Sequence, residues 1–104
     1  MRLISQDGRV DFPYEKVMVE IEPEKMCDIL ISTPEMAAMG QAYIIATYSD
    51  PEKAINVMMR LHREYERYQR ASGKPVGGGK FYAPEFRFTA PKVFKFPADA
   101  EVKL

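Results

Sequence analysis

The sequence predicts an α+β domain in which a mostly antiparallel sheet of about five or six strands carries one long amphipathic helix on one face. Three observations lead there. Ser49 to Tyr68, SDPEKAINVMMRLHREYERY, repeats its apolar residues with helical spacing and begins with helix-start residues. The stretches on either side of it alternate apolar with polar side chains, as half-buried strands do. Asp-Gly, Glu-Pro and isolated proline corners break those stretches into short runs. At 104 residues the chain can build one core and has too little surface to bury for two, so residues 1–104 read as a single domain.

Taken in order, Leu3 and Ile4 open a first strand. Asp7-Gly8 follows, a dipeptide suited to the positive φ angles of a two-residue type I′ hairpin. Val10, Phe12 and Tyr14 alternate with Arg9, Asp11 and Pro13 in a second strand. Pro13 has no amide proton for a ladder, which places that strand at an edge. Val17, Val19 and Ile21 form a half-buried third strand, and Ile29, Leu30 and Ile31 read as a fourth that is buried on both faces. Thr33-Pro34-Glu35 supplies a cap, a first-turn proline and an acid at the positive end of a helix dipole, and Gly40 ends the short helix it starts. Gln41 to Tyr48 is a β-branched and aromatic strand feeding the long helix.

In that helix Ser49 and Glu52 stand in the S-x-x-E relation of a capping box, and Pro51 fits the first turn. Ala54, Met58, Leu61, Tyr65 and Tyr68 fall on one stripe that faces the sheet. Arg60, Arg63, Arg67 and Arg70 fall on the other side and face solvent. Gly73 stops the helix, and GKPVGGGK at 73–80 reads as a flexible loop. Phe86 with Phe88, and Phe94 with Phe96, then place pairs of aromatics on one strand face, with Pro84, Pro91 and Pro97 between and after them.

Composition narrows the function classes. Apolar residues make up 46% and charged residues 29%, which argues against disorder and fibrous structure. Lys plus Arg and Asp plus Glu number 15 each, so no global field draws the chain to nucleic acid or an anionic membrane. The one cysteine, Cys27 in MCDILI, excludes a disulfide framework, reads as a buried inert thiol and points to a cytoplasmic protein. Neither a secretory h-region nor a run of about 18 apolar residues is visible, so no membrane insertion is expected.

Gly77, Gly78, Gly79 and Lys80 are candidates for an anion cradle, because successive glycine amides can surround an oxyanion. They do not form a P-loop: neither the spacing nor the Ser or Thr after the lysine is present, and Phe81 starts a strand pattern instead of a helix. Arg60, Arg63, Arg67 and Arg70 are candidates for meeting an acidic partner or a phosphate, against the alternative of a solvated face with helical ion pairs to Glu66. His62 lacks a second ligand at helical spacing, so no metal site is expected, and no cofactor motif or catalytic set assembles. His62 itself reads as a structural residue near the border of the core stripe. The seven methionines read as core filling or as an adaptable binding surface.

Three segments, RLISQDG with the following PYE, ATYSDPEKAINVMMRL, and FKFPADAEV, together resemble a family of small uncharacterised Gram-positive bacterial proteins often carried by prophages and other mobile elements. The resemblance implies an intracellular accessory protein acting by binding, and assigns no activity to any residue. The expected function is thus non-catalytic protein interaction, with homo-oligomerisation and an acidic protein partner. The alternative is binding or sequestering of a nucleotide or other anion through the glycine loop and the arginines. Homo-oligomerisation is expected because one helix leaves the second sheet face uncovered.

Overall fold

The computed structural model describes residues 1–71 and 93–103, with the side chains of residues 70 and 71 outside the description. The strands are β1 (Arg2–Ile4), β2 (Asp11–Pro13), β3 (Met18–Ile21), β4 (Asp28–Ser32), β5 (Tyr43–Thr47) and β6 (Val93–Lys95). The helices are α1 (Pro34–Ala38) and α2 (Pro51–Ala71), with single 3-10 turns at Tyr14–Lys16 and Asp99–Glu101. The α+β class holds.

The single sheet does not. Among the described residues six strands divide into two three-stranded sheets, ordered β2-β1-β6 and β3-β4-β5. The first is mixed, since β6 runs parallel to β1 with Leu3 opposite Phe94, while β2 runs antiparallel with Leu3 opposite Phe12. Pro13 sits on the edge strand β2, where a missing amide costs no ladder bond. Tyr14 leaves the strand for the 3-10 turn.

Between the two sheets, hydrogen bonds from the turn after β1 take the place of a ladder. The Gln6 amide donates to the Ile45 carbonyl at 2.9 Å. Its side-chain amide accepts from the Thr47 amide at 3.0 Å and donates to the Thr47 carbonyl at 3.0 Å, as a neighbouring strand would. The turn itself differs from the two-residue hairpin expected at Asp7-Gly8. Of those two residues only Gly8 has a positive φ, at 78°, whereas a type I′ turn needs two. The reason is Ser5, whose buried hydroxyl accepts from the amides of Arg9 and Val10 and donates to Asp7, holding a wider loop closed.

In the second sheet β4 runs antiparallel to both neighbours. A bulge between β4 and β5 pairs Ile29 with Ala46 but Leu30 with Ile44, leaving Ile45 as the extra residue. Alternation restarts there. Ile45 and Ala46 are both buried, Ile44 and Thr47 are exposed, and Tyr48 is turned into the core. Leu30 is only half-buried between the fully buried Ile29 and Ile31, so β4 buries one face and not both. Around α1 the Thr33 hydroxyl accepts from the Met36 amide at 3.2 Å, and Gly40 at φ 69° closes the turn.

One core unites the described elements: Leu3 from β1, Ile29 and Ile31 from β4, Ile45 from β5, Ala54, Val57 and Leu61 from α2, and Phe94 and Phe96 around β6. Each large aliphatic or aromatic side chain buried there contributes about 1.5 to 3 kcal/mol. The expected α2 stripe is present, with Val57 added to it and with Met58, Tyr65 and Tyr68 half-buried along its border. Tyr65 packs against Tyr14 with the rings tilted, centroids 4.3 Å apart.

Candidate functional site

The start of α2 sets which side chains the helix offers outward. The cap is Asp50, whose carboxylate accepts from the Glu52 amide at 2.8 Å while its carbonyl accepts from Lys53. Ser49 therefore makes no capping box. Its amide and hydroxyl instead donate to the Asp99 carboxylate at 2.7 and 3.0 Å, and Lys53 Nζ reaches the Asp99 carbonyl at 3.0 Å and its carboxylate at 3.4 Å. An aspartate directly before proline competes for the cap, and a carboxylate from the chain's far end draws the serine away. The bonds from Ser49 hold the Asp99 carboxyl below its usual range.

With that phase, Ile55, Met59, Arg63 and Arg67 are all exposed. They are spaced four residues apart and so form one continuous ridge over roughly 18 Å of helix axis. Its first half is apolar, Ile55 being 41% and Met59 59% accessible, and its second half is cationic. Arg67 is held by Glu64 at 3.1 Å, a helical pair three residues apart. Among the described residues Arg63 makes no ion pair. This differs from the Arg63 to Glu66 pairing expected from the sequence, while the expected Glu66 to Arg70 pair lies outside the described residues. His62 is exposed rather than bordering the core.

Arg60 stands apart from this ridge and lines a cleft of about 350 Å³ with Gln6, Lys95, Ala98 and Glu101. The floor of that cleft is cross-linked. Gln6 Nε2 and the Tyr48 hydroxyl both donate to the Pro97 carbonyl, at 3.1 and 2.8 Å, and the Phe96 amide donates to Ile4. Burial raises the Tyr48 phenol well above its usual range, and the nearby positive charge of Arg60 opposes the rise. A second, more apolar groove of about 470 Å³ runs between Phe12, Pro13, Val17 and Pro34, with Lys16 and Glu35 beside it.

Of the arginines singled out by sequence, Arg60, Arg63 and Arg67 are placed on the exposed side of α2, in two groups and not one row. The side chain of Arg70 and the whole of Gly77, Gly78, Gly79 and Lys80 lie outside the described residues. Met59 belongs to the methionines expected either in the core or on a binding surface, and it is exposed; Ile55, four residues before it on the same helical row, is the residue that the sequence reading does not single out. Core filling accounts for Met1 and the half-buried Met58 but not for Met18, Met26, Met39 and Met59, which are exposed. Cys27 is half-buried, its thiol 3.5 Å from the Lys25 carbonyl. Among the described residues no group of ligand-type side chains could hold a metal ion, and no helix is long and apolar enough to cross a membrane.

No family model, curated protein or solved structure matches this chain.

Proposed function

We propose that this chain is a non-catalytic interaction protein that docks the outer ridge of α2 against a protein surface with an apolar depression and an acidic end. The observation that carries the reading is the composition of the ridge. Two accessible apolar side chains and two arginines follow one another on a single helical row. Met and Arg are enriched at the centres of protein interfaces, and a row of this spacing is the shape that fits a groove. The accessory role in a mobile element rests on the resemblance of three sequence segments.

A photo-crosslinking residue at position 59, introduced in the producing cell, tests the reading. The expected result is a crosslink to a discrete protein whose captured peptide lies beside acidic residues, and its loss when Arg63 and Arg67 are both changed to Glu. Crosslinking no stronger than from the exposed position 24 would remove the ridge as an interface.

We extend the reading to self-association through the outer face of β3-β4-β5. There Leu30 lies opposite Ile44 and Glu20 in register, with the exposed Met18 next along β3. A two-fold contact sets such a patch against its own copy, apolar centre to apolar centre.

A further inference from the structure

The cleft between α2 and the segment after β6 carries an excess of positive charge that the fold does not use. Arg60 and Lys95 both line it, and among the described residues neither makes an ion pair. The carboxylate that lines it, Glu101, has one oxygen committed to the Ala98 amide at 2.8 Å. Asp99, the next nearest acid in sequence, is occupied by Ser49 and Lys53. Two cationic side chains thus line the space against one partly engaged carboxylate.

The walls are fixed in advance. Gln6 is held by its bonds to Thr47 and Pro97, Pro97 by Tyr48, and Phe96 is fully buried beneath. The end of the Lys95 side chain lies beside Gly8 in the turn after β1, its Nζ 3.8 Å from where a side-chain carbon on Gly8 would stand. With that frame already ordered, the ordering cost of binding is confined to the exposed Arg60 and Lys95 side chains. At about 350 Å³ the space exceeds a single oxyanion and falls within the range of small-ligand sites.

We infer that this cleft binds a small phosphomonoester, with the Arg60 guanidinium and the Lys95 ammonium on the phosphoryl oxygens. A guanidinium fork matches two oxygens of a tetrahedral anion, and an ammonium supplies a compact charge to a third. The rest of the ligand lies along the backbone of Phe96 to Ala98, with the free oxygen of Glu101 available to accept from a hydroxyl or amine of its non-phosphoryl part. The site is independent of the α2 ridge, because Arg63 and Arg67 do not line it.

Titration of the isotope-labelled chain with inorganic phosphate, AMP and ribose 5-phosphate, followed by amide NMR at constant ionic strength, tests the inference. Saturable shifts are expected at the Lys95, Phe96 and Ala98 amides and at the side-chain amide of Gln6. Arg60→Gln and Lys95→Gln should each weaken binding about tenfold, as removal of one charge-assisted contact does. Lys95→Arg should restore most of it, and Arg63→Gln should leave it unchanged. Tighter binding of AMP alone assigns the remaining volume to a base, and equal tightening by both esters assigns it to the sugar. The inference is overturned if no saturable shift appears at these groups in any of the three titrations. It is equally overturned if inorganic phosphate binds as tightly as both esters, or if Arg63→Gln weakens binding as much as Arg60→Gln, which would mark diffuse surface charge. The spectra of the variants report in the same experiment that the fold is intact.

Discussion

Asp99 shows how one side chain can set a boundary for distant elements. Its carboxylate takes two donors from Ser49 and one from Lys53, so the C-terminal turn is tied to the first turn of α2. Because those bonds favour the ionised form, its folded pKa lies below the unfolded value of about 3.9. In acid the unfolded chain therefore binds the proton first. The stability that this group contributes is present above about pH 4 and is lost as pH falls through the lower folded value. Melting temperatures recorded across the acid range should fall less steeply for Asp99→Asn than for the parent chain. An unchanged slope would show that the Ser49 contacts carry no linkage. Asp7 and Glu22 act in the same direction, each lowered by bonds within its own turn, from the Ser5 hydroxyl and from the Glu24 amide. They leave part of the acid slope in place after Asp99 is changed.

At the scale of the element, α2 separates burial from display. Leu61 is fully buried, and Arg63 and Arg67 are exposed on the far side of the same helical turns. Leu61→Ala should lower the unfolding free energy by about 2 to 5 kcal/mol in urea titration. Arg63→Gln with Arg67→Gln should change it by no more than about 1 kcal/mol, since the pair broken, Arg67 with Glu64, is solvent-facing. A double variant that unfolds would contradict the helix phase on which the ridge depends. The phase was legible in sequence because Ala54, Met58, Leu61, Tyr65 and Tyr68 repeat at spacings of three and four, and a helix has little choice about which face those residues share. The helix start was misplaced by one residue. Ser49 and Asp50 are both good caps, and what separates them is Asp99, fifty residues on.

For the whole molecule, the two sheets meet at Gln6 and share one core, while the outer face of β3-β4-β5 keeps Met18 and Ile44 at more than half accessibility. If a second copy covers that face, light scattering after size exclusion should report twice the chain mass at micromolar concentration. Ile44→Lys should return the chain to monomer without loss of helical signal, because the side chain contributes nothing to the internal core. A parent chain that stays monomeric at high concentration rules this interface out. The prediction is separable from docking of the α2 ridge, which lies on the helix and not on this sheet face.

The sequence by itself determined the class, the long helix and its inner stripe, the edge position of Pro13 and the capped turn at Thr33. Each follows from side chains within a few residues of one another. Local pattern also placed Phe94 and Phe96 on one face, and both are buried. Only the tertiary structure decided how the strands divide, because strand partners are chosen by long-range pairing that no local period records. β1 takes β6 from the other end of the chain, and Gln6 stands in for a strand beside Thr47. The same holds for Tyr48, which strict alternation from Ile44 would point outward and which the bulge at Ile45 turns inward to Pro97. The candidate site divides along that line. The α2 ridge is written in one helical period, whereas the Arg60 and Lys95 cleft exists only because residues far apart in sequence are carried to one place by the pairing of β1 with β6.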